Sequence, residues 1–166
     1  MKSSPVISLV AALSLNHVIG KENLLPWHLE ADWEHFKEYT AGLPMIMGRV
    51  SAQSEVALYS DVRNIVLSSM AQLSLPFEHE IAHTLQEAIT RLQACETILI
   101  IGGDTVFRQA LDKADEMVLT HVETVCEGDA FFPEFDRTEW TQEVLQTQKQ
   151  DTFNTHPFTI IHWKRK

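Results

Sequence analysis

The feature that most limits what this chain can fold into is a set of short apolar runs rich in β-branched residues. They are Val6–Leu13 (VISLVAAL), 45–47 (MIM), Asn64–Leu67 (NIVL), 97–101 (TILII) and 117–119 (MVL). Runs without polar alternation read as strands buried on both faces, the pattern of parallel sheets whose crossover helices cover each side. Helical periods lie between them. Leu85, Ala88, Ile89 and Leu92 form one stripe behind Thr84, and Glu87 three residues after Thr84 suggests a capping box. Val106, Ala110 and Leu111 form another. The C-terminal part alternates more, and 158–164 (FTIIHWK) reads as a strand. Alternating β and α segments without a linker or repeat predict one α/β domain over 1–166, its sheet mostly parallel with antiparallel pairing at the end.

At 166 residues the chain is of single-domain length. Its net charge of −10 repels nucleic acid and anionic membrane surfaces, so neither is an expected partner. An anionic cofactor would therefore need a local basic patch. No run of about 18 apolar residues could span a membrane. The N-terminus has a lysine and an apolar run, as export signals do, but that run fits a buried strand; a cytoplasmic protein is expected. Cys95 and Cys126 lack metal-binding spacing and read as reduced thiols; no metal is expected.

The segment LEADWEHFKEYT reads as a helix, with Leu29, Trp33, Phe36 and Thr40 sharing one face. Asp32 lies three residues from Leu29 and four from Phe36, on or beside the apolar stripe. A carboxylate there is costly without partners, and desolvation raises its pKa. It could bind an amidine-like group and take part in proton transfer; equally, it could be a helix-edge aspartate with its head in water. Upstream, Gly20 and Pro26 punctuate a loop that ends at Trp27, which alone reads as a core aromatic.

Two places suit phosphate. In one, strand TILII runs into Gly102-Gly103 and a helical stripe, where glycines let backbone N–H groups approach an anion. With Asp104 next and no third glycine, this is not the dinucleotide fingerprint. In the other, MIMGRVS brings Arg49 and Ser51 to a helix start after Gly48, and Ser68-Ser69 follow NIVL. Arginine's planar, permanently charged fork matches phosphate, although the glycine pair also reads as a plain turn and Arg49 as a surface arginine.

Taken in order, VISLVAALSLNHVIGKENLLPWHLEADWEHFK, PMIMGR, NIVLSS, ILIIGG and VLTHVE–EGDAFFPEF closely resemble a divergent, bacterial-type dihydrofolate reductase over nearly the whole chain. The resemblance implies a central, mostly parallel eight-stranded sheet with an antiparallel C-terminal strand, flanked by four helices. It implies reduction of 7,8-dihydrofolate by NADPH in one-carbon metabolism, by hydride transfer to pterin C6 with N5 protonation. It also implies a monomer, with diaminopyrimidine antifolates as inhibitors. Asp32 matches the active-site carboxylate, Thr120 its hydrogen-bonding threonine and Trp27 a tryptophan beside it; Leu25 takes the tip of a mobile loop. Val10, Ala11, Trp33, Phe36, Lys37, Tyr59, Arg63 and Ile101 are expected around the substrate. Ala12, which also borders the pterin, Ile19, Gly20, Asn23 and Leu24 are expected along the cofactor. So are Gly48, Arg49, Val50, Ser51, Leu67, Ser68 and Ser69, then Ile101, Gly102, Gly103, Asp104, Thr105, Val106 and Phe107. Asp129 matches the residue that holds the loop closed.

The chain departs from the family pattern between Arg49 and Asn64. Ala52 fills an aromatic position, Tyr59-Ser60 replaces Leu-Pro, and Val62 stands where the family has an arginine that clamps the substrate's glutamate. Arg63, one residue on, is the expected replacement, with Lys37 adding charge. Val50, Asp104 and Thr105 replace residues that are often basic or glycine, which predicts a weaker preference for NADPH over NADH. Two other functions stay open: reduction of another pterin or pyrimidine, and an idle nucleotide-binding homologue.

Overall fold

The structure, a computed structural model, describes residues 4–166. Six strands run parallel: β1 (Val6–Leu13), β3 (Met45–Gly48), β4 (Asn64–Leu67), β5 (Glu80–Ala82), β6 (Thr97–Ile100) and β7 (Glu116–Val122). Two more, β9 (Trp140–Gln148) and β10 (Phe158–Arg165), complete an eight-stranded sheet in the order β5-β4-β3-β6-β1-β7-β10-β9. Strand β10 pairs antiparallel with both β7 and β9, as the alternating C-terminal pattern suggested. The helices are α1 (Glu30–Thr40), α2 (Arg49–Ala52), α3 (Leu85–Arg91) and α4 (Asp104–Ala110). A separate two-stranded ribbon pairs β2 (Val18–Gly20) with β8 (Ala130–Phe131). Among the described residues no helix is long and apolar enough to cross a membrane.

The central strands read as continuous apolar runs because each face has its own cover. Ile7, Leu9 and Leu13 of β1 join Ile98 and Ile100 beneath Leu85, Ala88, Val106 and Phe107 of α3 and α4. On the opposite face Val10, Met45, Met47 and Leu99 pack with Phe36 and Tyr39 of α1. Trp27, Leu29, Val118, Phe158 and Ile160 extend that side toward β10.

Helix α3 begins as its sequence predicts. The Thr84 side chain accepts the Glu87 N–H at 3.0 Å, a cap that contributes about 1 kcal/mol. The reciprocal bond is displaced by one residue: Glu87 accepts the N–H of His83, not of Thr84.

All six parallel strands point their C-terminal ends the same way. In open α/β sheets ligands bind in the crevice outside those ends.

Candidate active site

A cleft of about 820 Å³ follows that edge. It is lined at one end by Val10, Ala11, Asp32, Trp33, Phe36, Ile101, Val118 and Thr120. Gly48, Arg49, Ser51, Leu67, Ser69, Gly102, Gly103 and Val106 line the other. Asn23, Leu24 and Leu25 of the loop after β2 border it as well.

Asp32 sits in the first turn of α1, which directs it at β7. Thr120 Oγ1 donates to its carboxylate at 2.5 Å. Desolvation outweighs that hydrogen bond and pushes the Asp32 pKa up to about 6. The walls around it are apolar. His35, one turn along α1, also lines the cleft; burial lowers its pKa, opposed by Glu38. Tyr39 follows, stacked on His35 with ring centroids 6.1 Å apart. Its hydroxyl meets Ser8 Oγ at 3.0 Å, and burial foremost raises its pKa to about 12.

At the other end the Gly102-Gly103 peptide is cis, and Gly102 has φ +139°, a conformation that L side chains rarely adopt. A Cβ on Gly102 would lie 2.8 Å from Ser51 Oγ, so the bare backbone and the Ser51 hydroxyl share one narrow space. Gly48 N–H donates to the Gly102 carbonyl at 2.7 Å and locks β3 to this turn. Arg49 and Arg108 line the same end with the hydroxyls of Ser51, Ser69, Thr84 and Thr105. Among the described residues these two arginines are the lysine or arginine side chains on the cleft wall, and one of them is paired with Asp104.

The loop is tied down at two points. Asp129 Oδ2 accepts the N–H of Glu22 at 2.9 Å, and Ser54 Oγ donates to the Asn23 carbonyl at 2.7 Å. Glu22 and Asn23 both have positive φ, the turn that brings Leu24 and Leu25 to the cleft. Asp104 makes a third tie: its Oδ2 accepts the Phe131 N–H of β8 at 2.9 Å. Its buried Oδ1 lies 3.0 Å from an Arg108 nitrogen but forms no hydrogen bond, so that contact is a charge pairing without alignment.

Four expected residues lie outside the cleft. Trp27 is buried in the core with Val118 and Ile160. Lys37 is exposed; it follows the cleft-lining Trp33 by one turn of α1 but is not itself part of the wall. Tyr59 stacks on Phe77, centroids 4.6 Å apart. Arg63 is turned to the sheet edge, where its Nε and Nη2 bind Glu80 of β5 at 2.5 and 2.9 Å. Neighbouring positions at a strand start face opposite ways, so a one-residue shift carries the guanidinium away.

Other lining residues were not read as site residues in the sequence, although Thr84 was read as a helix cap. His83 and Thr84 follow β5, a strand too short to recognise, while His35 and Arg108 were open to reading as the cleft-side neighbours of Asp32 and Asp104. Val56, Ala57 and Leu58 carry no chemical signal of their own.

The dihydrofolate reductase family model matches residues 6–165. The chain belongs to the dihydrofolate reductase family. It is 37% identical to the dihydrofolate reductase type 3 of Salmonella typhimurium, over 97% of this chain and 99% of that one. It is 38% identical to the dihydrofolate reductase of Haemophilus influenzae, over 96% and 98%. Among solved structures it resembles the dihydrofolate reductase from Enterococcus faecalis complexed with NADP(H) and RAB-propyl. That match has TM-score 0.85 and 27% identity over 97% of this chain and 96% of that one. Membership carries the enzyme class, an oxidoreductase.

Proposed function

We propose that this chain reduces 7,8-dihydrofolate to tetrahydrofolate with NADPH, and that Asp32 is its proton-handling carboxyl. The observation that carries the reading is a carboxyl at the mostly apolar end of the cleft, held by Thr120 and with a pKa of about 6. Such a group binds the amidine-like edge of a pterin and still exchanges a proton near neutral pH. A reductase of this kind needs no protein nucleophile.

NADPH, when bound, supplies the hydride. The glycine end fits it: the bare Gly102-Gly103 backbone, Arg49 and the hydroxyls of Ser51 and Ser69 form a donor set for phosphate. Val10, Ile101 and Phe36 position the rings and exclude water, while Leu24 and Leu25 border the cleft from the loop. With Asp104 paired to Arg108, the positive field at this end is partly cancelled, and we expect weaker discrimination against NADH than a purely basic site would give.

The test is NADPH consumption with 7,8-dihydrofolate, beside Asp32→Asn. Turnover that falls at least about a hundredfold in the variant supports the role of Asp32. Retained turnover would remove it.

A further inference from the structure

The cleft is charged unevenly. Arg49 flanks the glycine turn through Ser51, and Arg108 lies on α4; both guanidiniums that line the cleft therefore belong to the phosphate-suited end. At the opposite end, the charged or titratable side chains on the wall are Asp32 and His35, and His35 is biased toward its neutral form. Of the two cations nearest in sequence, one is committed elsewhere and the other is exposed outside the cleft wall. Arg63 is held bidentately by Glu80, and Lys37 projects from an exposed position of α1.

The surroundings add negative charge. Helix α1 carries Glu30, Glu34 and Glu38, all exposed, and Glu55 and Asp61 flank the segment that supplies Val56, Ala57 and Leu58 to the cleft. Ala52, just before that segment, packs in the same cluster as Phe36, so the segment lies on the α1 side of the sheet. A carboxylate leaving the Asp32 end thus meets apolar walls with several exposed acids near them and one exposed lysine, Lys37 of α1. Charge-assisted, bidentate recognition of it needs an arginine fork, which this rim does not offer.

Resting on the reductase reading of this site, we infer that the chain recognises its substrate by the ring system and not by an anionic tail. Dihydropterins without the glutamate of dihydrofolate are therefore substrates of comparable efficiency. The dependence on the pterin ring stays strong, because Asp32 and Thr120 bind it whatever follows.

The experiment compares kcat/KM for 7,8-dihydrofolate and 7,8-dihydropteroate, which differ only by the glutamate, with saturating NADPH. The expected ratio is close to one, whereas a clamped carboxylate would make the glutamate worth roughly tenfold or more. A preference for dihydrofolate above about fivefold, expressed in KM, overturns the inference. Lys37→Ala and Arg63→Ala are measured alongside; a fall in the ratio in either variant would reveal a clamp and overturn it too. If neither compound is reduced by a folded, NADPH-binding protein, the reductase reading itself falls and the inference with it. Reduction of both with a ratio above fivefold refutes only the inference.

Discussion

The carboxylate of Asp129 accepts the backbone N–H of Glu22 across 107 residues of chain, and this bond fixes the loop that borders the cleft. It is exposed, so its worth is modest, about 1 kcal/mol. Asp129→Ala is expected to lower kcat/KM for NADPH about three- to tenfold and the melting temperature by no more than about 2–4 °C (estimates for a single bond of this kind). Steady-state kinetics and thermal unfolding on the same preparation check both.

Asp104 has two effects that separate by substitution. Its Oδ2 holds β8, and its charge sits at the end suited to phosphate. Asp104→Asn keeps an acceptor for Phe131 and removes the charge, so KM for NADPH should fall about two- to fivefold. Asp104→Ala loses the tie as well, and the gain should vanish. Equal behaviour of the two variants would mean that the tie to β8 has no bearing on the cofactor.

Buried Asp32 makes the native state dearer at neutral pH. Its folded pKa of about 6 lies above the ordinary 3.8, so the native state binds the proton more tightly. The cost is absent below pH 3.8, grows between 3.8 and about 6, and is constant above. Asp32→Asn should therefore be more stable than the parent by about 1–3 kcal/mol at pH 8, with the difference closing toward pH 4. Urea unfolding across that range measures it. Thr120→Val removes a contact that lowers this pKa, and the pH profile of kcat/KM should move to higher pH.

His121 works in the opposite direction. Its Nε2 accepts from Trp163 Nε1 at 3.0 Å, and burial, followed by Arg137 and His17, pushes its pKa down to about 4. The unfolded chain binds the proton more readily, so stability is intact above pH 6.5 and is lost as pH falls from 6.5 toward 4. His121→Gln should flatten the melting temperature over that interval, measured in buffers of matched ionic strength.

The two misplaced cations show why part of the site was hidden in the sequence. The central strands were legible because burial on both faces leaves continuous apolar runs, and Asp32 stood out against the stripe of α1. Strand β5 spans only Glu80–Ala82, too short for any period, and it carries the carboxylate that captures Arg63. With that strand unread, the partner was invisible and the nearest arginine looked available. Strand β9 was unread for another reason: an edge strand with most side chains in water shows no burial pattern. The strands of the β2–β8 ribbon are as short, three and two residues, and long-range hydrogen bonds from Asp104 and Asp129 help to set its position.

The central place of β1 in the sheet bears on how the molecule is made. Val6 pairs with Thr97, and Ser8 pairs with Glu116. On a translating ribosome the first strand must wait for most of the chain to emerge before either neighbour exists. Contacts of such sequence separation slow folding, because loop closure precedes its reward. The early-made half, with β1 unpaired and Leu9 and Val10 still in water, is the species on which chaperones and proteases would act.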